Sequence, residues 1–271
     1  MITKEMIIKE LMNRGYDAKL VNTIKNGITL TGIAIKYNKS TCSPVIYIDQ
    51  ILEETHSIDD VLTYIENALQ ENKDISFDCA TLKDRSYVFS NLRIGIQKES
   101  TRDIVKKTCE LDGLEQYLYL NVIINSQNSS QISGRIILQK KHLDYAGVTE
   151  EEAWKFAEEN LHNESIVRDL SEMFGYLEES PIKMFCITNK SKTYGASSIL
   201  DKELIRKLSK KCGTDSFFVL PSSIHEMLLI PDLDDGVDID SLIEIVKYVN
   251  SSEVDEIDRL ADTAYKISVV A

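Results

Sequence analysis

Residues 216–231, SFFVLPSSIHEMLLIP, hold two apolar runs separated by Pro221, Ser222 and Ser223. Proline interrupts a helix and withholds a ladder N–H, so the two runs read as short strands meeting at a corner. His225 and Glu226 stand at the start of the second run. A buried polar group without a partner costs about 1–3 kcal/mol. The pair must therefore be satisfied on folding or serve a ligand, which makes this corner the first candidate site.

A chain of 271 residues exceeds the usual domain size and suits two medium domains. The pattern places them at 1–113 and 114–271, both α+β, the second carrying the corner. With 43% apolar and 28% charged residues the composition is globular. The net charge of −13 argues against direct nucleic-acid binding, which needs a basic face to release counterions. Lys190 and Lys192, and the run Lys202, Arg206, Lys207, Lys210 and Lys211, are the basic exceptions; the second spacing is that of a solvated helix face. Cys42, Cys79, Cys109, Cys186 and Cys212 are scattered, without a C-x-x-C pair, so neither a disulfide framework nor a zinc site is expected. The opening residues lack a signal-peptide core and no run of about 18 apolar residues occurs, so a cytoplasmic protein with no membrane contact is expected.

Local signals outline the elements. Apolar residues at 7, 8, 11 and 12 mark a helix over Met6 to Arg14 that Gly15 ends. DAKLVNTIK and ITLTGIAIKY flank Asn26-Gly27, a type I′ hairpin signature. A strand over Pro44 to Ile48 follows, then a helix opened by Ser57. Between Ile75 and Gly113 the pattern suggests strand near Tyr87 to Ile96 and a helix from Thr101 to Glu110. Strands at Leu114 to Ile124 and Ile132 to Leu138 flank a polar loop, Asn125 to Ser130. Thr149 and Glu152 form a capping box, and a second helix is expected from Ser165 to about Leu177. The strand Ile182 to Thr188, a helix from Asp201 to Lys211 ended by Gly213, and a helix capped by Asp238 complete the second half. A helix from Ser252 to Ala261 and a strand from Tyr265 to Val270 close it. Hairpins with grouped helices define an α+β fold with antiparallel sheets, helices packed on one face and two subdomains.

Pro44-Val45-Ile46-Tyr47, Asn189 with Gly195-Ala196, Leu220 to Glu226 (LPSSIHE) and Val249-Asn250 occur in that order. In these the chain resembles an uncharacterised domain-of-unknown-function family of anaerobic Gram-positive bacteria. Residues 76–113 depart from that pattern, which carries an asparagine-rich segment and a proline where this chain has none. The resemblance implies a class and a source and brings no activity with it.

Familiar chemistries fail on spacing. H-E-x-x-H needs a histidine where Leu229 stands. Ser222 and Ser223 lie in no G-x-S-x-G elbow. Counting from Asp232 puts Gly236 and Ile243 where a calcium loop would need another residue and a glutamate. Gly195-Ala196 before a helix offers an anion cradle built on one glycine. No catalytic residue, metal site or cofactor is expected. Asn189, Gly195, Ser222, Ser223, His225 and Glu226 are the candidate binding residues. The leading expectation is a non-enzymatic cytoplasmic protein that binds a macromolecular partner, a protein, and is encoded on a mobile element. One alternative is an enzyme or small-molecule binder with a pocket near 189–198 and 221–226; another is an acidic nucleic-acid mimic.

Overall fold

The computed structural model describes residues 2–36, 44–55, 57–71, 77–124, 132–174, 182–233 and 236–269. Cys42, His56 and the loop Asn125 to Ser130 lie outside the described residues. Two compact units are present, Met1–Cys79 with Val122–Gly134, and Ala80–Asn121 with Arg135–Ala271.

In the first unit, α1 (Lys4–Asn13), β1 (Asp17–Lys25), β2 (Ile28–Lys36), β3 (Val45–Ile46), α2 (Asp49–Glu54) and α3 (Ile58–Glu71) follow one another. The strands form an antiparallel sheet in the order β1-β2-β3. Asn26 and Gly27 hold φ 47 and 81 between β1 and β2, the left-handed pair that a type I′ turn requires. Ile7 and Leu11 of α1 and Val61, Leu62 and Ile65 of α3 meet Ile33 and Ile35 in one core. The positions on α1 and α3 follow the helical period expected from the sequence.

The second unit contains α4 (Arg85–Asn91), β4 (Leu92–Lys98), β5 (Lys106–Thr108), β6 (Leu114–Ile124) as far as Asn121, β7 (Ile132–Ile137) from Arg135 onward, α5 (Lys140–Ala146) and α6 (Glu150–Glu164). It continues through β8 (Ser165–Asp169), α7 (Leu170–Phe174), β9 (Phe185–Asn189), a 3-10 turn at Gly195–Leu200, α8 (Lys202–Cys212), β10 (Ser216–Leu220), β11 (Met227–Pro231), α9 (Ile239–Ser252) and β12 (Tyr265–Ser268). β4, β6 and β5 form one sheet with β7 beside β6, and β12-β10-β11-β9-β8 form a five-stranded sheet. Every described pairing is antiparallel, which makes the chain an α+β protein. Gly113 lies in the turn that leads into β6. Among the described residues no helix is long and apolar enough to cross a membrane.

Alternation along β10 organises the five-stranded sheet. Phe217 and Val219 join Ile205 and Leu208 of α8, while Phe218 and Leu220 join Leu242 and Val246 of α9. Helices thus cover both faces.

Three expected helices are replaced. Lys106 to Thr108 pair with β6, and Val105 exchanges main-chain bonds with Leu138 and Leu118, so residues 101–110 are drawn into a sheet. Ser165 to Asp169 pair with β9, a place that suits the β-branched Ile166 and Val167, and within the described part of the expected helix Leu170–Phe174 are helical as α7. Past Ser252 the chain makes a single 3-10 turn at Glu256–Asp258. Tyr87, expected in a strand, lies in α4, which Asp84 caps by accepting from the Ser86 and Tyr87 N–H groups. In each replaced helix a pairing or contact distant in sequence outweighed the local period.

Phe217 is fully buried at the centre of the larger core. Phe217→Ala is expected to lower unfolding free energy by about 3–5 kcal/mol in urea titrations.

Candidate functional site

The corner between β10 and β11 is built from the chain's own polar groups. Ser222 N–H donates to Leu220 O (2.9 Å), Ser223 N–H to Glu226 O (3.1 Å) and His225 N–H to Ser223 Oγ (3.0 Å). The His225 carbonyl accepts two bonds, from Thr188 Oγ1 (2.8 Å) and Gly195 N–H (3.0 Å). Tyr194 N–H donates to His225 Nδ1 at 3.1 Å. A ring nitrogen that accepts carries no proton, so the neutral imidazole holds its hydrogen on Nε2, 3.6 Å from Asp258 Oδ2.

Asn189 closes the segment between. Its Oδ1 accepts from Ser191 Oγ and Thr193 N–H, and its Nδ2 donates to Thr193 O. Lys192 and Tyr194 hold positive φ there, 56 and 55. A Cβ on Gly195 would stand 2.3 Å from Thr188 Oγ1 and 2.5 Å from Asn189 N, so only glycine fits. Its N–H and that of Ala196 are spent on the His225 and Ile224 carbonyls, so neither is left free to cradle an anion. Glu226 Oε2 lies 3.8 Å from Cys186 Sγ. Burial and then the Glu226 charge push the Cys186 thiol up to about 11.

The structure thus joins Asn189, Gly195, Ser223 and His225 in one bonded corner, with Ser222 and Glu226 beside it. It adds residues the sequence reading passed over. The Tyr194 ring is 5.0 Å from His225 and edge-on to Tyr119 at 6.4 Å. The Arg135 guanidinium sits 3.0 Å above the Tyr194 ring centre, and its Nη1 donates to the Tyr117 hydroxyl at 3.4 Å. Burial raises both the Tyr117 and Tyr119 phenols. The signal was Gly95, which pairs with Tyr117 and whose Cβ would stand 2.4 Å from that ring. On the same strand face, burial opposes ionisation of Glu115, yet bonds from Lys106 Nζ (2.8 Å), Gln97 and Ser100 outweigh it and hold the carboxyl below its usual range.

A second place is concave. A cleft of about 750 Å³ lies among α6, α8, β12 and the β5–β6 segment. Its floor is aliphatic, with Leu161, Ile199, Leu200 and Ile205. Two ion pairs and a histidine set between two carboxylates lace its rim. His162 Nδ1 of α6 lies 3.1 Å from Asp201 Oδ2, and its Nε2 3.3 Å from Glu203 Oε2. Lys107 meets Glu158 at 2.8 Å, and Lys202 meets Glu110 at 3.1 Å. Asp201 is buried and caps α8, accepting from the Glu203 and Leu204 N–H groups. Leu200 ends the turn that Gly195 opens and Asp201 follows it directly, so corner and cleft share one segment.

The chain is therefore an antiparallel α+β protein with a braced corner and an aliphatic cleft. Over residues 3–268 it matches a family of unknown function, DUF5688, and it belongs to that family. No curated protein and no solved structure matches it.

Gly195→Ala is expected to cost about 3 kcal/mol in chemical denaturation, because backbone must move to admit the methyl group. Thr188→Ala, which removes one bond to the same carbonyl, should cost about 1 kcal/mol. A carboxyl held low stabilises the fold above its unfolded value of 4.5, and that contribution disappears as pH falls through the folded value. Glu115→Gln should therefore lower stability at pH 7 and flatten its fall on acidification below 4.5, read from thermal melts across pH.

Proposed function

We propose that this protein works by binding, and that its ligand enters the cleft walled by α6, α8 and β12. The cleft itself carries the reading: about 750 Å³, aliphatic below and charged at the rim. Ligand sites typically span about 300–1,000 Å³ and combine apolar walls with a few polar groups.

The histidines support binding over catalysis. His225 spends Nδ1 on a backbone N–H and turns Nε2 toward Asp258. His162 faces a carboxylate with each nitrogen. A general base needs a free nitrogen aimed at substrate, and both rings are already engaged. In this reading Asn189, Gly195 and His225 hold the cleft's floor in place and Ser222, Ser223 and Glu226 complete that brace. The ligand is a macromolecule, a protein, and the setting is a reducing cytoplasm in which Cys79 and Cys109 stay free thiols.

Capture from a lysate of the source cell with tagged chain, followed by mass spectrometry of proteins and small molecules, checks the reading. Leu200→Trp fills the cleft and should reduce the bound species by about tenfold or more. Tyr248→Ala, on the exposed face of α9, should retain it. Equal recovery by a folded Leu200→Trp protein would overturn the assignment of the cleft.

A further inference from the structure

β12 is the outer strand of the five-stranded sheet. Val269 N–H bonds to Asp215 O at 2.7 Å, and this fixes the alternation of the ladder. Residues 265, 267 and 269 turn their main-chain groups toward β10, while Lys266 and Ser268 turn theirs outward. Among the described residues no main-chain hydrogen bond reaches those outward groups of Lys266 and Ser268.

The open edge borders the cleft. Ile267, Ser268 and Val269 all line it. Neighbouring side chains on a strand point to opposite faces, so a cavity touches three in succession by meeting the strand edge-on. Open edges are commonly guarded by a lysine that projects along them. Here the lysine is turned away: Lys266 Nζ is 2.6 Å from Asp232 Oδ2 and 5.3 Å from the Phe218 ring centre, on the α9 side of the sheet.

We infer that the cleft receives an extended peptide segment of a protein partner, added to the sheet as a sixth strand beside β12. The inference rests on the reading of the cleft as a binding site. An extended main chain supplies donors and acceptors at the spacing that Lys266 and Ser268 present. Its alternate side chains descend onto the aliphatic floor at Leu200 and Ile205. A compact small molecule fills the floor without matching the edge.

A phage-displayed library of random heptapeptides, panned against the full chain, supplies the probe. Enriched peptides should carry aliphatic residues at alternate positions. Their affinity is then read by fluorescence anisotropy of labelled synthetic copies. Ser268→Pro removes the outward N–H yet leaves the bonds to β10, because edge strands accept proline at such positions. It should weaken binding by about tenfold or more, and Ser268→Ala should leave it unchanged. N-methylation of the peptide residues that face the edge should weaken it equally, and this arm carries the test if Ser268→Pro fails to fold.

Loss of binding with Leu200→Trp but not with Ser268→Pro or the methylated peptides overturns strand addition and leaves the cleft as a binding site. Insensitivity to all of them overturns both. Failure to enrich any peptide overturns the peptide inference alone. A dimer of the chain by light scattering that Ser268→Pro dissolves replaces the peptide with a second copy and overturns the inference as stated.

Discussion

One main-chain oxygen ties the corner between β10 and β11 to the segment that follows β9. The His225 carbonyl takes Thr188 Oγ1 from β9 and the Gly195 N–H from the turn that follows it, while Tyr194 N–H takes the same residue's ring nitrogen. Three donors from one segment converge on one residue of another. The turn thus anchored runs on through Ile199 and Leu200 and delivers Asp201 to the start of α8. The floor of the cleft and the cap of one of its helical walls are therefore set by a clamp at the opposite end of six residues.

The sequence reading recovered what local chemistry decides. Asn26-Gly27, the Thr149 and Glu152 box, Gly213 behind α8 and Asp238 ahead of α9 each act within a few residues, and each stands where it was expected. The replaced helices mark where that reasoning ends. Nothing within residues 101–110 announces β6 as a partner, and nothing within 165–169 announces β9; the decisive hydrogen bonds cross to strands that the segment itself does not encode.

The candidate site divides along the same line. The polar residues of the corner were visible because they interrupt an apolar run. Tyr194 and Arg135 were not, because their meaning lies in stacking between positions far apart in the chain. The cleft had no local signature at all. Its rim joins residue 107 to 158, 110 to 202 and 162 to 201, and each of these side chains reads in sequence as an ordinary solvated polar group.

Those rim pairs bear on selectivity. Lys202 and Glu110 are both largely exposed, and exposed pairs contribute about 0–1 kcal/mol each. Parting them costs little, and under the proposed strand addition a segment that bears one charge of each sign would exchange partners with them. The mouth carries charges of both signs, Lys107, Lys202 and Arg206 with Glu110, Glu158 and Asp201, despite the net charge of −13 over the whole chain. In the proposed reading, discrimination among ligands falls to the shape of the aliphatic floor, and the charged pairs at the entrance form a threshold that is cheap to cross.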